Sequence, residues 1–315
     1  MKKKLISIVI PVYNEEKNIP IVYGELKKIL SSVDYDFEII FVNDGSMDRS
    51  QAELDKLLRD DKNVKVIEFT RNFGKEAATS AGISICEGSA CLLLDADLQH
   101  PVKLIPEFLA KWEKGAEVVV GVRNKNRGEG LIKKFGSYLF YLTINKIAET
   151  EITPRATDYR LLDKLVVDEF KRLTEKNRMT RALIDWLGFK QDYVYFNANE
   201  RKYGTPGYGY LKLVKLALSS YVAHSLFPLK LAGYLGIFIT FASGILGLLM
   251  LAVKFLLKGP WKLNFSGPAI LAIVILFLVG IILICLGLIA LYIGNIHIEV
   301  INRPMYVIKK RINVQ

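Results

Sequence analysis

At 315 residues and 51% hydrophobic content the chain can bury a full core, as one large domain or two ordinary ones. A net charge of +11 suits an anionic partner, nucleic acid or an anionic membrane surface, and no helix-turn-helix, zinc-finger or RNA-binding signature supports the first. Cys86, Cys91 and Cys285 lack framework spacing, which argues against a disulfide-built domain and reads as inert packing in a reducing compartment.

The chain opens with three lysines and an apolar run that stops at Pro11. Tyr13-Asn14-Glu15-Glu16 follows with no small-residue cleavage site, so the run reads as a buried first strand rather than a leader. This predicts an N-terminal region that stays in the cytoplasm. Residues 7–12, 38–42, 64–69, 91–94 and 117–122 are predicted strands, dense in Val, Ile and Leu. Residues 15–30, 48–59, 75–86 and 101–114 have helical spacing, with Pro101 expected in the first turn of its helix. The alternation predicts an α/β fold with a Rossmann-like, mainly parallel sheet covered by helices on both faces. In such sheets ligands bind beyond the carboxyl ends of the strands.

Further along, residues 231–253 and 268–294 contain no charged side chain, and each exceeds the ~20 residues that span a bilayer core. The connector holds Gly259-Pro260, so the two segments are predicted to form a transmembrane hairpin. The predicted organisation is a cytoplasmic α/β domain over 1–209, an interfacial amphipathic helix over 210–229, two transmembrane helices within 230–298 and a basic tail over 299–315. Arg303, Lys309, Lys310 and Arg311 place that tail in the cytoplasm, although Lys254, Lys258 and Lys262 in the connector weaken the charge argument.

The strand ends carry the candidate chemistry. Asp95-Ala96-Asp97 follows strand 91–94, and carboxylates at i and i+2 can share a hard divalent cation or divide metal and ribose between them. Gln99 and His100 lie within reach. Asn43-Asp44-Gly45-Ser46 is sufficient as a turn and helix cap, or Asp44 accepts hydrogen bonds from a nucleotide base. Pro11-Val12-Tyr13-Asn14-Glu15 is likewise sufficient as a strand-to-helix turn. Arg71-Asn72-Phe73-Gly74-Lys75 is either an exposed basic turn or two cations set beside a diphosphate.

Taken in order, these motifs resemble the family 2 glycosyltransferases of GT-A fold, and within them the dolichol-phosphate mannosyltransferase and bactoprenol-phosphate glucosyltransferase branch. Thr157-Asp158-Tyr159-Arg160-Leu161-Leu162, Trp186-Leu187-Gly188-Phe189 and Asn302-Arg303-Pro304-Met305-Tyr306 extend the resemblance over nearly the whole chain. The resemblance implies inverting transfer of a hexose from a nucleotide-sugar, UDP-glucose first, to undecaprenyl or another polyprenyl phosphate. The enzyme would be a multi-pass protein of the plasma membrane, with both termini cytoplasmic. It implies a nucleotide-sugar site at Pro11, Tyr13, Glu15, Asp44, Lys75, Asp95 and Ala96, with Asp44 on the base and Asp95 near the ribose. Asp97 with Gln99 would hold Mg²⁺ or Mn²⁺, and Arg123, Arg127, Lys134 and Arg201 would face the phosphates. Asp158 matches the residue proposed in the family as catalytic base.

A phosphate acceptor is already a nucleophile at neutral pH, so the residue chemistry favours an orienting role for Asp158. GDP-mannose, UDP-N-acetylhexosamine and an aminoarabinose donor stay open, as does a homo-oligomer. Two departures stand out: Pro206-Gly207 replaces the family's Ser-Lys, and Leu291 stands where a Glu is common. A processive synthase is disfavoured because no Gln-x-x-Arg-Trp motif is present, and an inactive membrane scaffold because Asp44, Asp95, Asp97 and Asp158 all are.

Overall fold

Alternation along Leu5–Val12 commits both faces of the first strand to burial, with Ile6, Ile8 and Ile10 in one core and Val9 in the other. The structure, a computed structural model, describes residues 3–124, 155–176, 178–197 and 267–314. Strands β1 (Leu5–Val12), β2 (Asp36–Asn43), β3 (Val64–Phe69) and β4 (Ala90–Leu93) pair in parallel. Helices α1 (Ile19–Leu30), α2 (Ser50–Asp60) and α3 (Lys75–Ser84) connect them. A 3₁₀ turn (Val102–Leu104) and α4 (Ile105–Glu113) lead to β5 (Val118–Arg123). After it come β6 (Ala156–Asp163), α5 (Lys164–Arg172), α6 (Thr180–Trp186), β7 (Gln191–Phe196), α7 (Gly267–Ile301) and β8 (Ile308–Ile312).

The strand order is β7-β5-β6-β4-β1-β2-β3-β8. The five predicted strands are present, but the sheet is mixed rather than mainly parallel: β6 lies antiparallel between β4 and β5, and β8 antiparallel on β3. The two-face covering is as expected. Val22, Leu26, Phe108 and Trp112 of α1 and α4 fill one side, and Ala78, Ala81, Val166 and Phe170 of α3 and α5 fill the other. Helix α3 lies close on β1 because Gly82 has no side chain, and a Cβ there would meet Val9 Cγ1 at 2.2 Å. Burial pushes the Cys91 thiol up, in keeping with a packing role, and its Sγ lies 3.1 Å from that of Cys86.

Two helix starts differ from expectation. Helix α1 begins at Ile19, because Asn14 takes a left-handed φ of 56° and Pro20 then occupies the first turn. Pro101 has an extended ψ of 110° and precedes the 3₁₀ turn, while Pro106 is the first-turn proline of α4.

The chain divides into two units, Met1–Gly207 with Asn302–Gln315, and Tyr208–Ile301. Of the second, α7 is described: 35 residues, roughly 50 Å at 1.5 Å per residue. Over the described side chains no helix is long and apolar enough to cross a membrane. The sequence of α7 nonetheless carries no Asp, Glu, Lys or Arg before Glu299, and Leu271, Ile275, Ile282 and Leu286 are exposed. The predicted interfacial helix and first span lie outside the described residues.

Arg160 of β6 is 1% exposed, and its guanidinium meets Asp185 of α6 at 2.6 and 3.2 Å. Carbonyls of Thr157 and Arg181 take further N–H groups. Asp185→Ala strands a buried charge and is expected to cost about 3–5 kcal/mol in urea unfolding. Arg160→Met with Asp185→Leu is expected to recover most of that loss. A double variant no more stable than Asp185→Ala would show that the pair is not the source of the penalty.

Candidate active site

The loops after β1 and β2 are stapled into one rim. Asn14 donates its N–H to Ser46 Oγ at 3.0 Å and accepts from Met47 N–H at 2.8 Å. Glu15 N–H donates to Ser50 Oγ at 2.9 Å, and Glu16 accepts from Arg49 N–H at 3.0 Å. Asn43 Oδ1 accepts from Ser46 N–H at 2.9 Å, the turn expected from its motif. Gly45 sits at φ 64°, where a Cβ would lie 2.3 Å from the carbonyl carbon of Arg71, so only glycine lets these loops touch.

Buried Asp44 accepts the N–H groups of Phe73 at 2.7 Å and Gly74 at 2.9 Å. Burial pushes its carboxyl up, against those two donors and Arg71. Asp44 therefore holds the 72–74 turn as well as lining a cleft of about 230 Å³. Pro11, Tyr13, Glu15, Lys75, Asp95, Ala96 and Asp97 line the same cleft, so the structure brings together all seven predicted nucleotide-sugar residues and Asp97. Arg71 is not among them; its guanidinium lies 4.0 Å over the Phe73 ring.

Strand β4 ends at Leu93, two residues before Asp95. The two carboxylates face one cleft through a turn that puts Leu98 at φ 62°, not through strand alternation. Buried His100 supports this turn: it stacks on Tyr159 at 5.0 Å, and its Nδ1 lies 3.4 Å from the Asp95 N–H. Burial lowers its pKa, which keeps the imidazole neutral and Nδ1 an acceptor.

A second cleft, of about 310 Å³, is lined by Asp95, His100, Arg123, Arg155, Asp158 and Arg181. The register of β5 against β6 shifts between Val120 and Val122, and Thr157 Oγ1 donates to the Gly121 carbonyl at 2.8 Å. Arg155, at φ 63°, opens β6. Glu76 of α3 accepts the Thr180 N–H at 2.7 Å, fixing the start of α6 and hence Arg181. Arg155 and Arg181 are residues that the sequence reading missed. Neither sits in a recognisable motif, and only the pairing of β6 and the docking of α6 bring them here. Arg127, Lys134 and Arg201 lie outside the described residues.

Lys75 joins the two clefts, with its ammonium 2.6 Å from Asp95 and 2.8 Å from Asp158. The sequence placed it beside a diphosphate; here it serves the carboxylates. Burial would push the Asp158 carboxyl up, but Lys75, Arg181 and Arg160 bring it down to about 2. Such a carboxylate is ionised and a poor general base at neutral pH. Gln99 accepts from the Arg123 guanidinium at 3.2 Å, which turns its amide towards the second cleft.

Among the described residues no group of three or more His, Cys, Asp or Glu is placed to hold a metal. The carboxylates of Asp95 and Asp97 fall short of the six oxygens Mg²⁺ takes, and fit a cation whose remaining ligands are phosphates and water.

A parallel β1–β4 sheet whose strand ends form a nucleotide-sized cleft defines a GT-A-like α/β protein. The fold is shared with the crystal structure of mannosyl-3-phosphoglycerate synthase from Rubrobacter xylanophilus, at a TM-score of 0.52 and 16% identity over 70% of this chain and 73% of that one. The model of glycosyl transferase family 2 matches residues 7–170, and the chain belongs to that family. It is a glycosyltransferase. Relatives include the uncharacterized glycosyltransferase YkcC of Bacillus subtilis, 40% identical over 98% of this chain and 94% of that one. Another is the SfII prophage-derived bactoprenol glucosyl transferase of Shigella flexneri, 37% identical over 97% of each chain.

Lys75→Met leaves Asp95 and Asp158 without their shared cation. With its pKa held below the unfolded value of about 3.9, Asp158 contributes stability that is present above that value and lost as pH falls through about 2. The stability margin of the wild type over Lys75→Met, measured in urea, is expected to shrink as pH falls from about 5 towards 2. A margin constant across this window would mean that Lys75 does not set the ionisation of Asp158.

Proposed function

We propose that the chain transfers glucose from UDP-glucose to the phosphate of an undecaprenyl-class lipid at the cytoplasmic face of the plasma membrane, with inversion at the anomeric carbon. The observation carrying this reading is the second cleft, where Arg123, Arg155 and Arg181 face a space that shares Asp95 with the nucleotide-sized cleft. Three guanidiniums suit an acceptor that is itself an anion. The choice of a polyprenyl phosphate and of glucose is supported by relatives named bactoprenol glucosyl transferase over nearly the whole chain.

The acceptor needs little deprotonation. A phosphate monoester has a second pKa near about 6 and is largely dianionic at neutral pH. The obstacle is the approach of two anions, and the arginines lower it by neutralising the acceptor. Asp158, ionised and tied to Lys75, orients this cationic set and fixes Lys75 beside Asp95. Asp97 with Asp95 would hold Mg²⁺ or Mn²⁺ together with the donor diphosphate. Bound there, the metal would neutralise charge developing on the leaving nucleotide. An α-linked donor attacked opposite its leaving group yields a β-linked lipid phosphate sugar.

Membrane attachment is part of the proposal. It is supported by the apolar length of α7 and by its exposed leucines and isoleucines, which suit a non-aqueous cover. A bilayer would supply it where the acceptor's hydrocarbon also partitions.

The test is transfer from a labelled donor panel (UDP-glucose, GDP-mannose, UDP-N-acetylhexosamine and an aminoarabinose donor) to undecaprenyl phosphate in membranes, with and without EDTA. UDP-glucose is expected to give a lipid-extractable, EDTA-sensitive product. Product from another donor alone reassigns the sugar; no product from any donor, with folded protein in the membrane, sinks the proposal.

In the same assay Asp97→Ala is expected to abolish transfer, at least a thousandfold (~4 kcal/mol). Asp158→Asn, which removes charge but no bulk, is expected to cost roughly ten- to a hundredfold. Equal losses in the two variants would return Asp158 to the role of general base.

A further inference from the structure

The motif Asn302-Arg303-Pro304-Met305-Tyr306 has no place in either cleft. Its last three residues line a separate cavity of about 350 Å³, on the flank formed by α3 and α5. Tyr306 is fixed there by stacking on Phe69 of β3, with ring centroids 4.9 Å apart and planes 10° from parallel.

The remaining walls are cationic. Lys171 comes from the end of α5, and Lys176 and Arg178 from the segment that follows it. Lys171 Nζ donates to the Cys86 carbonyl at 3.1 Å. Arg178 donates to the carbonyls of Leu173 and Glu175, and its guanidinium lies 5.4 Å from the Phe170 ring centre. Among the described residues no acidic side chain lines the cavity. Glu175, in the same segment, brings one negative charge, against three positive ones among the described lining residues.

Ser80 is the second, independent sign. It is 4% exposed, lines this cavity, and its hydroxyl has no hydrogen-bond partner among the described residues. Buried hydroxyls are nearly always paired. A ligand oxygen beside Ser80 would pair it, while the ammonium and guanidinium groups supply charge-assisted bonds to the same group. The apolar wall of Phe170 and the 304–306 segment suits the organic part of an ester.

We propose that this cavity binds the phosphate group of a phosphate-bearing ligand, at a site separate from both clefts of the active site. The ligand is either the headgroup of an anionic phospholipid or free phosphate in solution. The assignment does not depend on the sugar or acceptor proposed above.

The test uses the full chain in neutral detergent and two probes, inorganic phosphate and short-chain phosphatidylglycerol, with short-chain phosphatidylcholine as the zwitterionic control. Binding is read by titration calorimetry in EDTA for the wild type, Lys171→Gln/Lys176→Gln and Ser80→Ala. UDP binding in Mg²⁺ serves as the check on folding. The double variant is expected to bind at least one probe roughly tenfold or more weakly, the loss of a charge-assisted hydrogen bond, with UDP binding unchanged. Ser80→Ala is expected to weaken the same probe.

Weakening for phosphatidylglycerol alone assigns a lipid headgroup, and weakening for inorganic phosphate, alone or with it, assigns the bare anion. Unchanged binding of both probes in both variants overturns the proposal, as does equal loss of phosphatidylcholine. If the double variant loses UDP binding, Ser80→Ala alone decides by the same criteria.

Discussion

Lys75 places one ammonium within 2.8 Å of carboxylates from two different parts of the sheet, Asp95 beyond parallel β4 and Asp158 on antiparallel β6. Two carboxylates converging on one space repel, and one of them ordinarily takes a proton. The ammonium offsets that repulsion, so the join between the two halves of the sheet can be charged. The side chains are 43% and 34% exposed, so water screens part of the attraction, and the geometry matters more than its energy. Its anchor is the packing of α3, which is fixed on β1 by Gly82 and joined to α6 through Glu76.

The charge pattern of the two clefts follows. Asp44, Asp95 and Asp97 dominate the nucleotide-sized one, a setting that suits a cation shared with phosphates. The other collects Arg123, Arg155 and Arg181. Because Asp95 borders both, the function proposed above brings donor and acceptor phosphates together beside a carboxylate already balanced by Lys75. Neither needs a proton removed at neutral pH, and Asp158, at a pKa of about 2, is not suited to remove one.

What was legible in the sequence is what local pattern encodes. Strands β1 to β5 come from dense β-branched runs, and the loops after β1, β2 and β4 carry side chains that both build turns and line the cleft. Strand β6 was visible as a motif but not as a strand, because Asp158 and Arg160 interrupt its apolar pattern; Arg160 is tolerated in the core only through Asp185, 25 residues further on. Strand β8, Ile308–Ile312, reads as a basic tail, since its central Lys309, Lys310 and Arg311 are exposed. Arg155 and Arg181 reach the second cleft through tertiary placement alone, and no spacing rule marks them.

Strand β8 also changes what its lysines can be used to argue. A tail rich in Lys and Arg beside a long apolar helix is ordinarily read as a marker of membrane orientation. Here the same residues lie on the strand that closes the open edge of β3, and Lys309 meets Glu68 of β3 at 2.6 Å. Charged side chains on an outermost strand keep it from pairing with further chains. These cations therefore have a structural reason to exist whatever side of a bilayer they face, and their number is no independent witness to topology. The stronger constraint is connectivity: the segment that follows α7 returns to the catalytic sheet as β8 and pairs antiparallel with β3.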